Sequence, residues 1–165
     1  MCYSTDKKAV NKSYRLKRRA VLQVAEFSDY GSKPVSGKVY DLEERTRQFA
    51  ANTFVFVRKI QKDIVNQEIV KQLVRSAGSV GANYIEANEA LGDKDFCMKI
   101  RICRKEAKES KYWLTLLDIG VSTGSLSEKR ELLIKECGEL VRIFHAILNR
   151  RLVNIKKNMV TSKEL

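Results

Sequence analysis

The chain has 165 residues, 44% hydrophobic and 32% charged, which suits one soluble domain around a single buried core. Its 32 Lys and Arg face 20 Asp and Glu, and a net charge of +12 favours a polyanionic partner, nucleic acid before an anionic membrane face. No run of about 18 apolar residues and no secretory leader occur, so no membrane span is expected and the cytoplasm is the expected compartment.

Residues 1–38 carry nine Lys and Arg against three Asp and Glu, half of the whole surplus. Lys7, Lys8, Lys12, Arg15, Lys17, Arg18 and Arg19 run together, with Tyr3 and Tyr14 among them. Residues 16–27 could form a short helix, and residues 28–34 read as a linker, since Gly31 punctuates it and Pro34 disfavours helix at Lys33. The segment is expected to be a basic, flexible extension. It is either a nucleic-acid-binding arm or upstream sequence without a role, and membrane-surface association through residues 16–27 is a weaker third reading.

The domain is expected over residues 39–158, followed by a tail at 159–165. Asp41 with Glu44 opens the first helix as an N-cap carboxylate and a first-turn acid. Its apolar rows are Leu42, Phe49 and Phe56 beside Thr46, Thr53 and Ile60. Asn66 is expected to cap the second helix, which runs to Leu91 with Gly92 as its stop. Val70, Leu73, Ala77, Val80, Tyr84, Ala87 and Leu91 recur at steps of 3 and 4, which is one face of a helix. Alongside run Ser76, Ser79, Asn83 and Glu86. Gly78 and Gly81, each costing about 1 kcal/mol against alanine, point to a close helix crossing or a subunit contact.

Asp93 is expected to cap the third helix, which reaches Asp118. Its stripe is Phe96, Ile100, Cys103, Ala107, Ser110, Leu114 and Leu117, flanked by Arg101, Arg104, Lys105, Lys108 and Lys111. Ser125 and Glu128 form a capping box for the fourth helix, which extends to Lys157 on a stripe of Leu133, Cys137, Leu140, Phe144 and Ile147. Cations Arg150, Arg151, Lys156 and Lys157 gather at its end. Four long helices with short connections predict an all-α, up-down-up-down four-helix bundle.

Reaction chemistry is hard to find. Glu86 with Glu89 and Glu106 with Glu109 are E-x-x-E pairs, but a ferritin-like di-metal site wants E-x-x-H motifs and the chain has one histidine, His145. No G-x-S-x-G motif or phosphate-cradling loop is present, and Gly78 to Gly81 lie within a helix. The four cysteines match no common zinc spacing and are expected to be free and reduced. No enzyme activity, metal or cofactor is expected. Arg75 is expected to neutralise Glu106 or Glu109, and Trp113 is expected to pack in the core or an interface.

Three stretches carry a specific resemblance: YDLEERTRQFA at 40–50, IVKQLVRSAGSVGANYIEANEAL at 69–91 and KDFCMKIRICRKEAKESKYWLTLLD at 94–118. Within them Arg75-Ser76, Ser79-Val80, Asn83, Glu86-Ala87, Lys105-Glu106-Ala107, Glu109 and Tyr112-Trp113-Leu114 carry the match. The chain resembles, over residues 40–150, the four-helix-bundle family named after proteins encoded in intervening sequences of bacterial 23S ribosomal RNA genes. That family is similar to the accessory protein of diversity-generating retroelements, a five-fold ring that binds nucleic acid and a reverse transcriptase. The resemblance therefore implies a homopentamer. It marks Arg75, Ser76, Ser79, Asn83, Glu86, Glu106, Glu109 and Trp113 as structural or interface residues. The functional expectation is a non-enzymatic homo-oligomer that binds structured RNA. Phosphate contacts fall to Arg101, Arg104, Lys105, Lys108 and Lys111, then Arg150, Arg151, Lys156 and Lys157. The alternative is an accessory scaffold for a reverse transcriptase or a ribosome-associated protein.

Overall fold

The computed structural model describes residues 41–120 and 124–161, so the readings for residues 1–38 fall outside it. The described residues form helices α1 (Leu42–Val57), α2 (Ile64–Asn88), α3 (Asp93–Leu116) and α4 (Ser125–Thr161). Consecutive helices pack together, and α1 closes on α4 along a sparser seam. Cross-links show the alternation. Asn66 near the start of α2 meets Asp118 just past α3, while Lys99 near the start of α3 pairs with Glu86 near the end of α2. Arg151 late in α4 reaches Asp93 at the start of α3, 2.5 Å away. The fold is the expected up-down-up-down bundle.

The heptad rows of α1 are inside: Leu42, Phe49, Phe56, Thr46 and Thr53 are all buried. Each buried threonine satisfies its hydroxyl on its own helix, Thr46 donating to Glu43 O at 2.8 Å and Thr53 to Phe49 O at 2.9 Å. The α3 stripe is buried from Ile100 to Leu117, with Phe96 half-buried at its start. On α4, Leu133, Cys137, Leu140, Phe144 and Leu148 fill the remaining side of the core. Each large aliphatic or aromatic side chain removed from water contributes about 1.5–3 kcal/mol, which is why these rows orient the helices.

The thin part of α2 lets its neighbours approach. A Cβ at Gly78 would lie 3.7 Å from Phe54 Cζ, and one at Gly81 would lie 3.6 Å from Thr46 Oγ1. These are contacts of α1 across α2, so the small residues serve a helix crossing inside one chain. They leave space for one methyl group. On the α3 side, Ser76 Oγ meets Ser110 Oγ at 2.8 Å, both fully buried.

Several helix ends differ from expectation. Asp41 does cap α1, accepting from Glu44 N–H at 3.1 Å. The cap of α2 is Asp63, which accepts from Asn66 N–H at 2.8 Å. Asn66 instead is buried one turn inside, donating to Gln61 O at 3.2 Å and Asp118 O at 2.9 Å, and accepting from Asp118 N–H at 3.1 Å. A local capping pattern could not reveal that second role, because its partner is 52 residues away. Helix α2 stops at Asn88, so Leu91 is fully exposed, and Gly92 is the N-cap of α3 with Asp93 its first residue. Asp93 is held by Arg151 and caps nothing. Helix α3 ends two residues before Asp118. Ser125 is the first residue of α4, whose opening carbonyl is Gly124 O, accepting from Glu128 N–H at 3.0 Å.

Asn66→Ala removes both side-chain bonds to the part-buried Asp118 backbone groups, and should lower unfolding free energy by about 1–3 kcal/mol in a urea titration. Gly78→Ala should do the reverse, adding up to about 1 kcal/mol in the same titration, because the methyl fits against Phe54 and the helix gains propensity.

Candidate nucleic-acid interface

The outward side of α3 is split along its length. Arg101, Arg104, Lys108 and Lys111 repeat at steps of 3, 4 and 3, so they form one row that advances ten residue steps along the helix. At 1.5 Å per residue that row spans about 15 Å. Arg101, Lys108 and Lys111 are exposed and Arg104 is half-buried; Lys105 is exposed beside the row. The row lies toward α4, where His145 Nδ1 is 3.1 Å from Arg104 Nη1 and His145 Nε2 is 3.1 Å from Asn149 Nδ2. This His145 bridge holds the Arg104 guanidinium across the α3–α4 seam. His145 is the one histidine of the chain, and its partner on α3, 41 positions away, is not visible in the sequence.

The second group of cations lies on α4. Arg150 is exposed. Arg151 pairs with Asp93 and its guanidinium carbon stands 5.2 Å from the Phe96 ring centroid, so it ties α4 to the start of α3. Lys156 and Lys157 lie on the last turns of α4, where the helix surface is mostly exposed. Helix α4 has 37 residues against 24 for α3, so it extends well past its neighbour.

The other side of α3 has a different character. Glu106 and Glu109 are half-buried toward α2. Glu109 Oε1 accepts from Trp113 Nε1–H at 3.3 Å, and Tyr112 stands edge-on to Trp113 at 4.9 Å between centroids. Trp113 packs against the core, as expected. On α2, Asn83 donates to Ser79 O at 2.9 Å and to Ser79 Oγ at 3.0 Å. Glu86 is joined to Lys99, whose ammonium is held charged by that hydrogen bond. Of the eight residues expected to be structural, Ser76 and Glu86 bond from α2 to α3, while Ser79 and Asn83 bond within α2 and Glu109 and Trp113 within α3. The expected ion pair of Arg75 is not made within the chain: Arg75 is exposed and bonds no other described residue. Its position on the outward ridge of α2 carries it away from the half-buried carboxylates.

Among the described residues no three His, Cys, Asp or Glu side chains come together as metal ligands would, and no helix is long and apolar enough to cross a membrane. Cys97, Cys103 and Cys137 are free and buried.

A model of the 23S rRNA-intervening sequence proteins matches residues 39–146, well over half of the chain. The chain belongs to the 23S rRNA-intervening sequence protein family. It is also similar to a crystal structure at 1.70 Å of a protein of unknown function, assigned to the S23 ribosomal protein family, from Bacteroides thetaiotaomicron VPI-5482. Identity is 30% and the TM-score 0.53, over 64% of this chain and 96% of that one. No curated protein matches. The matched region contains the whole basic row of α3 and the α2–α3 face of this family member, and it ends before Arg150.

Burial pushes the Cys103 and Cys137 thiols up to about 12, from an ordinary value near 9. The folded chain therefore holds these protons more tightly than the unfolded chain. The associated stability is complete below pH 9 and declines as pH rises toward 12. Urea midpoints measured from pH 8 to 11 should fall, and the double variant Cys103→Ala/Cys137→Ala should show a shallower fall than the parent.

Proposed function

We propose that this chain is a non-enzymatic, homo-oligomeric bundle that binds structured RNA through the outward row of α3. The observation that carries the reading is the row itself: Arg101, Arg104, Lys108 and Lys111 on one helix side, with Lys105 beside them and no acidic residue in the row. A solvated helix face ordinarily mixes signs, and α1 does so with Glu44 and Arg47 paired at 2.5 Å. A single-sign row on a chain of net charge +12 raises the local concentration of phosphate and offers contacts about one helical turn apart. Arg150, Lys156 and Lys157 prolong the cationic surface along α4, with Arg151 contributing least because Asp93 neutralises it.

Nothing in the row supplies base-edge readout, so recognition runs through backbone charge and the shape of the RNA. The family's name, drawn from 23S rRNA intervening sequences, makes a structured ribosomal RNA fragment the first ligand to try. A self-associated bundle would repeat the row around an assembly and multiply weak contacts by effective concentration. A ring of five copies is what the resemblance to the retroelement accessory protein implies.

Fluorescence anisotropy with such a fragment, titrated with salt, tests the reading. Affinity should fall log-linearly with salt, with a slope of roughly −4 if five cations per chain each meet a phosphate. Arg101→Glu/Arg104→Glu/Lys108→Glu should weaken binding by about two orders of magnitude or more and flatten that slope by roughly 2–3. Absence of binding at low salt by a folded assembly would overturn it in favour of an accessory scaffold that contacts another protein.

A further inference from the structure

The cations of α3 that look toward α4 meet no carboxylate. Arg101, Arg104, Lys108 and Lys111 form no ion pair among the described residues. Residues 96–105 of α3 and 140–163 of α4 and beyond contain no Asp or Glu. What Arg104 meets instead is the exposed ring of His145, with Nη1 and Nδ1 3.1 Å apart. An arginine can only donate, so Nδ1 carries the lone pair and the ring proton sits on Nε2. One turn on, Asn149 presents Nδ2 to Nε2 at 3.1 Å. Two N–H groups cannot bond each other, so a half-turn of that amide brings its oxygen to accept from Nε2–H.

The Arg104 bond exists only while the imidazole is neutral. A protonated ring donates from both nitrogens, so it loses its acceptor and faces a permanent guanidinium charge across the same 3.1 Å. Histidine changes charge between pH 5 and 8, whereas lysine and arginine keep theirs. The other charged groups around the ring are cations or already paired. Arg101 and Lys108 stand one turn either side of Arg104 on α3. Arg142, one turn before His145 on α4, is held to Glu139 at 2.6 Å. No side chain at this level offers negative charge to a second cation. A phosphate oxygen does.

We infer that His145 is a positioning residue for the α3 row: neutral, it holds Arg104 against α4; protonated, it releases Arg104 to phosphate and adds its own charge, so RNA binding takes up a proton. The inference rests on the RNA-binding reading above and gives that site its regulation by pH. Its sign follows from linkage. A bound phosphate favours the imidazolium, so affinity gains as pH falls through the histidine range and loses that gain as pH rises through it. The five cations of α3 do not titrate in this range, so the dependence belongs to His145.

Anisotropy of the full chain with the structured ribosomal RNA fragment, at fixed ionic strength from pH 8 to 5.5, tests it. Affinity of the parent should rise by about tenfold across that range, and the salt slope should steepen by roughly 1–2 as Arg104 is freed and His145 adds a contact. His145→Gln should give a flat pH profile. His145→Lys, charged throughout, should bind at pH 8 about as tightly as the parent does at pH 5.5. A merely structural histidine would change affinity equally at every pH. The unsubstituted chain supplies a second measurement, because the ring-proton resonances of its one histidine report this site alone. Their titration midpoint should rise by about one pH unit when RNA is added, which is the same tenfold read as proton linkage. RNA binding that is level from pH 8 to 5.5, or that rises equally in His145→Gln, overturns the inference and leaves the RNA-binding reading standing. A folded chain that binds no RNA at either pH overturns that reading itself.

Discussion

The seam between α2 and α3 sets the register on which the rest depends. Two fully buried hydroxyls, Ser76 and Ser110, meet at 2.8 Å, a distance that only small side chains on both helices allow. At one end of the seam Asn66 holds the start of α2 to the backbone just past α3, and toward the other Glu86 is bound to Lys99. Sliding α3 by one residue would break all three and rotate its surface by about 100°. The basic row would then turn toward the core and the carboxylates toward solvent. Register in this bundle is therefore the same thing as the placement of its charges.

That division gives one helix two flanks of opposite electrostatic character. Helix α3 buries Ile100, Cys103, Ala107, Ser110 and Leu114, and the residues on either side of this stripe belong to different seams. Toward α4 the flank is cationic and steadied by His145. Toward α2 it is acidic, aromatic and partly withdrawn from water. The first flank attracts negative charge and the second repels it. The fold thus separates incompatible electrostatics by half a helix circumference instead of by distance along the chain.

The sparser α1–α4 seam is where the bundle is least complete. Arg45 and Glu136 close it with a bidentate pair at 2.6 and 2.9 Å, and beside them a groove of about 500 Å³ opens over Phe49, Phe56 and Leu133. Sequence periodicity marked Phe49, Phe56 and Leu133 as core, and they are buried. It could not show that α1, with 16 residues, is too short to cover the flank of a 37-residue neighbour. Exposed Val55 and Leu132 are the outcome of that mismatch.

What the sequence determined by itself is the part of the structure that repeats at short range. Apolar residues at steps of 3 and 4 define helices, their buried faces and their order, because burial of those faces dominates the energy of folding. The Arg101-to-Lys111 row was legible for the same reason: spacing alone puts it on one side. The α2 cap at Asp63, the inward turn of Asn66, the His145 bridge and the failure of Arg75 to reach a carboxylate were not legible. Each depends on where a second helix lies and how it is rotated, to within about one residue. Side chains compete for partners that are near in space and 40 or 50 positions away in the chain, as with Arg104 and His145 or Asn66 and Asp118. Periodicity states which way a side chain faces; only the packed bundle decides what it meets there.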